Sequence, residues 1–382
     1  MNSDQRSQRV LFIAPVPPPM HGQSLASKVF LDSIRGANRV TLINTAGKRR
    51  SGFVSSLFRA ISLVGLQARI AVSAWRADVI YLTNSETLGG NLKDFVTYAL
   101  CFPWLGRMTI HLHGGAGMRE LMKGRYRWLP GLNRFFTKRM RGVIVLGDSL
   151  RTIYSEFIPS DRLHVVPNFS LDEVFSTNEA IREKFSKLEP IRIVFLSNLI
   201  PSKGYAEVIQ SVCTLNSCGA PQVVLSLAGG LPQGLTAAAL AESWEGRPGV
   251  EYVGTVYGAE KVQFLQTAHI FILPTYYPYE GQPISILEAY AAGCVVITTD
   301  HSGIFDVFQP GLNGFEVQKR SASSIEGVLR TIVRDPSALE AMALRNHEAA
   351  CRMYRVRTYC ERLAAAVGLQ TNCACQDEPR QR

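Results

Sequence analysis

The chain has 382 residues, 46% of them hydrophobic, with 31 glycines, 19 prolines and a formal net charge of +10 at neutral pH. That length exceeds one ordinary core and suits two domains, and the composition excludes a disordered, collagen-like or disulfide-scaffold protein. The charge is uneven: residues 1–170 carry 23 Lys and Arg against 9 Asp and Glu, a net of +14, whereas the remainder nets −4.

The start, MNSDQRSQRV, is polar and runs directly into a strand, with no signal-peptide pattern. Arg9 to Ala14 reads as a buried strand, followed by PVPPPMHGQS and a helix through Val29, Phe30, Leu31 and Ile34. Strand, loop and helix in that order open a doubly wound sheet. Apolar runs at Val40 to Ile43, Val79 to Leu82, Met108 to His113 and Val143 to Leu146 alternate with helical segments. This alternation predicts a parallel sheet with right-handed crossovers. In IHLHGG, His111 and His113 share one face, and His113 ends the strand just before Gly114 and Gly115. Open α/β sheets bind ligands at that edge, so His113 is a candidate and His111 is expected in the core. The longest apolar candidates, Ile61 to Leu66 and Phe95 to Leu105, are too short or too interrupted to span a bilayer.

Two N-terminal stretches lack any acid: Ser33 to Ala77, with eight basic residues, and Leu121 to Gly147, with seven. The second interleaves Arg and Lys with Trp128, Leu129, Leu132, Phe135, Phe136 and Met140. Such a pattern suits a helix lying on an anionic membrane surface, the competing reading being a solvated basic face. Nucleic acid would be attracted by the same charge, but no recognition fold or base-stacking motif accompanies it. The eight cysteines show no metal-ligand spacing, and most read as reduced thiols of a cytosolic protein.

Asp172 to Glu189 is charged and polar, as a connection between domains is expected to be. The expected division is 1–170 for the N-terminal domain, 171–189 for a linker, 190–354 for the C-terminal domain, 355–369 for a last helix and 370–382 for a flexible tail. Ile191 to Ser197 opens the second domain as a buried strand. In the following NLIPSKGYAEVIQSV, Lys203 can reach a phosphate as a point charge and Gly204 lets the backbone turn. Further strands are expected at Val223 to Ala228, Val250 to Thr255 and His269 to Leu273.

Pro274 to Asp300 reads as strand, polar loop, helix, strand. Pro283 suits a first helical position, where its missing N–H costs nothing, and Gly293 suits the left-handed residue that stops the helix. Between them Glu288 stands among apolar residues on nearly every side, a costly place for a carboxylate without a partner. Glu280 lies in the loop entering the same helix, whose free N–H groups and dipole favour an anion. A short helix, a Gly-rich turn and a last strand follow in SGIFDVFQPGLNGFEV. Helices then come at Ser323 to Arg334, Ser337 to Met353 and Val356 to Val367.

Glu280 and Glu288, with seven residues between them and AYAAGCVVITTD close behind, resemble the E-x7-E signature of retaining nucleotide-sugar glycosyltransferases of family 4. That resemblance implies the α/β GT-B architecture: two Rossmann-like doubly wound domains facing each other across a cleft, with the last helix crossing back to the first. It also implies roles. Glu288 would hold ribose hydroxyls, Glu280 and His113 would position the sugar, and Lys203 would bind phosphate. Gly281, Gln282, Pro283, Ile284 and Ser285 would form the diphosphate cradle, Gly22 the Gly-rich loop of the first domain, and Gly254 the turn near the base. The chain departs from the family in having Asn198 where an arginine is usual, and His21-Gly22 where paired glycines are frequent. No metal or other cofactor is implied. The expected activity is transfer of a sugar from a nucleotide diphosphate donor to a lipid-linked glycan acceptor in bacterial surface polysaccharide synthesis. The expected location is the cytoplasm, peripheral on the inner face of the cytoplasmic membrane. Two alternatives share the fold: a nucleotide-sugar epimerase, and a module that binds the donor without transferring it.

Overall fold

The computed structural model describes residues 7–46, 54–124, 126–217, 222–245 and 247–372, the side chains of 54–62 excepted. Lys48, Arg49, Arg50, Arg125, Cys218, Cys373, Cys375 and the remainder of the expected tail lie outside the described residues. The chain divides into two compact units: Met1–Pro167 with Arg357–Arg382, and Asn168–Val356.

The first unit is built on β1 (Arg9–Ala14), β2 (Arg39–Asn44), β3 (Val79–Thr83), β4 (Met108–His111), β5 (Gly142–Val145) and β6 (Leu163–Val165). They form one sheet in the order β2-β1-β3-β4-β5-β6, parallel throughout. Helices cover both faces, so central strands such as VIYLT are buried along their whole length and read as unbroken apolar runs. The strand β6 was not among the expected ones; its three residues carry too little pattern to separate it from the loop around it. The order reverses between β1 and β3.

The second unit holds β7 (Ile191–Leu196), β8 (Val223–Ala228), β9 (Val250–Gly254), β10 (Ile270–Leu273), β11 (Val295–Thr298) and β12 (Gly314–Glu316). Their order is β12-β11-β10-β7-β8-β9, again parallel, with the reversal between β7 and β10. Open sheets of this kind take ligands outside the carboxyl ends of the strands on either side of such a reversal. In each unit that point is therefore where binding groups belong.

The stretch expected as a linker, 171–189, is instead folded into the second unit. It forms a helix, Asn178–Phe185, capped by Thr177, and buries Val174, Ile181 and Phe185 in that unit's core. Its charges apart from Lys184 lie on the outward face, which made the segment look like a connection; the inward apolar stripe is only one residue in four. Lys184 donates to the carbonyl of Ala292 at 2.9 Å, and Ile181 packs where a Cβ on Gly293 would have to go. Gly293 has φ +67, the left-handed stop expected of it.

The helix Val356–Val367 buries Tyr359, Cys360 and Leu363, and the Tyr359 hydroxyl reaches the carbonyl of Ala26 in the first unit. Residues 370–372, expected in the flexible tail, are held: Asn38 donates to the Gln370 carbonyl at 3.0 Å, and the Asn372 N–H donates to the Ser33 carbonyl at 2.8 Å. These backbone groups are satisfied, so residues 370–372 are pinned.

Because Ile181 is fully buried, Ile181→Ala is expected to cost about 2–5 kcal/mol, as cavity-forming substitutions do. Urea denaturation of the full chain followed by circular dichroism checks this; a residue in an unpacked linker would give almost no change.

Candidate functional site

The reversal in the second sheet brings two loops together. After β7, a 3-10 turn over Pro201–Lys203 ends at Gly204, whose φ is +83. A Cβ there would stand 2.6 Å from the Pro274 carbonyl, so only glycine lets this loop lie against the one leaving β10. The result is an ion pair between the Lys203 Nζ and Glu280 Oε2, both largely buried. Thr275 donates its hydroxyl to the same Glu280 oxygen at 3.0 Å, and the Lys203 ammonium lies 4.8 Å over the ring of Tyr277. Lys203 and Glu280, expected separately at phosphate and sugar, are thus brought into contact. An ammonium has three donors, so this pairing is compatible with a phosphate oxygen as a further partner.

The loop Tyr276 to Gln282 is clamped from a third side. His301 meets the Tyr277 carbonyl at 2.7 Å, Ser302 donates to the Glu280 carbonyl at 2.6 Å, and the Gly303 N–H donates to Gly281 at 3.2 Å. Ser302 holds a φ of +54 to do so. Gln282 is fixed by Asn168, whose N–H donates to its side chain at 2.6 Å and whose Nδ2 donates to its carbonyl at 2.7 Å. The second oxygen of that arrangement, Asn168 Oδ1, is buried without a partner. Nothing in the sequence linked Asn168 to Gln282, 114 positions away.

The helix that follows is Ile284–Ala291, and Pro283 is its N-cap, one place earlier than expected. Glu288 sits on it at 3% exposure and pairs with Lys261 of the helix Gly258–Gln266 at 2.6 Å. Burial pushes the Glu288 carboxyl upward, and the Lys261 ammonium pulls against that rise. Lys261 went unnoticed in the sequence because it lies on an otherwise polar surface helix; the unpaired carboxylate at 288 was the signal that a cation had to exist.

Asn198 does not stand in for the missing arginine. Its Oδ1 accepts the N–H of Gly230 at 3.3 Å, shaping the turn after β8, where a Cβ on Gly229 would meet the Ser197 carbonyl at 1.8 Å. Gly254, at φ +85, ends β9 beside that turn, and its carbonyl accepts the Gly229 N–H at 2.8 Å.

In the first unit, His111 is fully buried and bonded to the Tyr81 hydroxyl at 2.7 Å, a core residue as expected. His113 stacks on it at 4.0 Å between ring centroids, and its Nε2 is buried without a partner. Burial lowers the His113 pKa to about 3, so the ring is uncharged at neutral pH. Gly22 is the first residue of the helix Gly22–Ile34, which is capped by His21 through a reciprocal bond pair with Ser24. The expected Gly-rich loop is here a helix N-terminus.

Glu86 was not foreseen. It follows β3 and lies against Gly114, where a Cβ would stand 1.6 Å from its Oε1. The N–H of Met118 donates to it at 3.4 Å, with further N–H bonds from Gly114, Gly115 and Gly117. Burial outweighs these bonds and raises its pKa to about 7. A titrating carboxyl at the reversal of a doubly wound sheet, beside a neutral histidine with an unpaired nitrogen, is the pattern of a binding site. Among the described residues, no group of three or more His, Cys, Asp or Glu side chains is placed to hold a metal.

Two outcomes are expected. Lys261→Met leaves Glu288 buried and unpaired, at a cost of about 3–5 kcal/mol at neutral pH that shrinks in acid, where the carboxyl can protonate. Chemical denaturation at two pH values measures this. Glu86 has a folded pKa raised above its ordinary value of 4.5, so the folded state binds more protons and stability declines as pH rises from 4.5 to about 7. Glu86→Gln is expected to remove that part of the decline in a melting series across the same range.

Residues 176–348 match the family described as Glycosyl transferases group 1. The putative colanic acid biosynthesis glycosyltransferase WcaL of Salmonella typhimurium is 26% identical over 181 residues, covering 46% of this chain and 44% of that protein. The N,N'-diacetylbacillosaminyl-diphospho-undecaprenol alpha-1,3-N-acetylgalactosaminyltransferase of Campylobacter jejuni is 24% identical over 190 residues, 50% of this chain and 44% of that protein. These matches span less than half the length of both relatives. Among solved structures, HepE of Anabaena in complex with UDP superposes with a TM-score of 0.71 at 18% identity, covering 94% of this chain and 99% of that one. The fold is therefore GT-B-like, and residues 176–348 carry a Glycosyl transferases group 1 domain.

Proposed function

We propose that the chain is a retaining glycosyltransferase of family 4, moving a sugar from a nucleotide diphosphate donor to a lipid-linked glycan acceptor in bacterial surface polysaccharide synthesis. The observation that carries this reading is the position of Lys203, Glu280 and the start of the helix Ile284–Ala291. All three stand at the strand ends where the second sheet reverses, between β7 and β10. A diphosphate leaving group needs positive charge and N–H donors there. Lys203 and the backbone N–H groups of Gly281, Gln282, Ile284 and Ser285 would supply both, with no metal or other cofactor in the reading. Glu288 would accept ribose hydroxyls, with Lys261 opposing the upward push of burial on its carboxyl. Glu280, fixed by Lys203 and Thr275, would orient the transferred sugar, and His113 is assigned to that sugar as an uncharged hydrogen-bonding group.

In the step itself the bond from the anomeric carbon to the phosphate oxygen breaks, and the acceptor oxygen bonds to that carbon on the same face. The acceptor proton passes to the departing phosphate oxygen. Support for the donor class comes from HepE, solved with UDP and with UDP-glucose. Support for the acceptor comes from the Campylobacter relative, whose name includes a diphospho-undecaprenol. An acceptor of that kind would place the chain in the cytoplasm, peripheral on the inner face of the membrane; nucleic acid has no part in the reading.

A thermal-shift panel of nucleotide sugars, headed by UDP-glucose, tests the donor site. A bound donor at a hundred times its dissociation constant is expected to add about 2.7 kcal/mol of stability, and Glu288→Gln to remove most of it. With the donor named, Glu280→Ala is expected to slow transfer about a hundredfold through misplacement of the sugar. A product of inverted configuration at the anomeric carbon, read by NMR, overturns the retaining assignment. An altered sugar nucleotide formed without acceptor would make the chain an epimerase instead.

A further inference from the structure

We propose that Asn168, the first residue of the second unit, is a positioning residue of the donor site. It holds the peptide between Gln282 and Pro283, and with it the aim of the helix start at Ile284 and Ser285. The proposal rests on the transferase reading for what that helix start faces, a diphosphate. Three successive carbonyls lead into the helix Ile284–Ala291, and each accepts a hydrogen bond from elsewhere in the chain. Ser302 donates to the Glu280 carbonyl at 2.6 Å, the Gly303 N–H to the Gly281 carbonyl at 3.2 Å, and Asn168 Nδ2 to the Gln282 carbonyl at 2.7 Å. In a trans peptide the carbonyl and the next residue's N–H point opposite ways on one rigid plane, so a donor on the carbonyl aims that N–H. The first two planes aim the N–H groups of Gly281 and Gln282. The third differs, because Pro283 has no N–H. Its carbonyl is the hydrogen-bonding group on that plane, and Pro283 caps the helix. The direction in which the chain enters the helix therefore depends on the bond that Asn168 makes.

Asn168 is itself anchored. Its own N–H donates to the Gln282 side chain at 2.6 Å, Phe169 after it is fully buried, and the Ser170 N–H donates to the Tyr354 carbonyl at 2.7 Å. The contact also settles which way the Asn168 amide lies. Turned over, its Oδ1 would meet the Gln282 carbonyl, one acceptor against another. In the orientation that bonds, Oδ1 is buried without a partner. A buried oxygen left unpaired lowers stability, so stability alone does not account for an amide at this position. Holding the Gln282 carbonyl does account for it. Asparagine is the shortest side chain with an N–H donor, and an aspartate of the same shape would set oxygen against oxygen.

The test compares the full chain with Asn168→Asp, which keeps the volume and the backbone N–H, and with Asn168→Ala. Each is titrated with UDP, ADP and GDP and with the three matching nucleosides, and deuterium exchange over residues 281–287 is followed by mass spectrometry. Exchange over 281–287 is expected to rise in both variants. Affinity for the diphosphate that wild type binds is expected to fall about tenfold, the scale of one hydrogen bond to a charged group. Affinity for its nucleoside is expected to stay within about twofold. A general loosening of the unit would weaken diphosphate and nucleoside alike, so an equal loss overturns the proposal. So does wild-type diphosphate affinity in the variants, or exchange over 281–287 that does not rise. Should Asn168→Ala fail to fold, Asn168→Asp alone decides. Wild type that binds none of the three diphosphates is a different failure: it removes the transferase reading, and the assignment with it.

Discussion

Two carboxylates buried within one short segment, each held by a lysine from elsewhere in the same unit, are the constraint on which the second unit depends. Without Lys203 and Lys261 each of these buried carboxylates would lack its ion-pair partner. The partners come from different directions. Lys203 arrives on a loop that only a glycine at 204 allows to lie flat against Pro274, and Lys261 arrives on a helix packed beside the signature helix. Buried ion pairs contribute little net stability, because desolvation offsets most of the attraction. Their value here is positional, since each fixes an oxygen at a place where a hydroxylated ligand would need an acceptor.

The first unit uses the same edge of a similar sheet with different chemistry. At the carboxyl ends of β3 and β4 stand Glu86, whose pKa burial raises to about 7, His113, whose pKa burial lowers to about 3, and several small residues. An edge with few formal charges is suited to hydroxyl groups, whereas the edge of the second unit, with a helix N-terminus and a lysine, is suited to phosphate. The difference follows from which loops carry glycine. Gly114 and Gly115 let Glu86 close over the backbone, while Gly204 lets Lys203 approach another loop.

Sheet, helix order and signature segment were legible because parallel strands buried on both faces write themselves as apolar runs, and because Pro283, Gly293 and Glu288 mark a helix by its ends and its anomaly. What escaped was whatever depended on contact between distant positions. Lys261, Asn168 and Glu86 have no local pattern; each matters through a partner reached only by folding. The stretch at 171–189 misled for a related reason, since a short helix with a narrow buried stripe has the composition of a connection. The task Asn198 performs, accepting the Gly230 N–H with its side-chain oxygen, could not be seen from its neighbours.

The first unit takes its last helix, Val356–Val367, from beyond the whole of the second. A nascent chain emerging from the ribosome therefore completes Asn168–Val356 while the first unit still lacks Tyr359, Cys360 and Leu363 from its core. Domains ordinarily fold in the order of synthesis, and here that order is broken for the final step. The core of the first unit is therefore closed by a segment made only after the whole of the second unit, so the two units cannot finish folding in the order in which they begin.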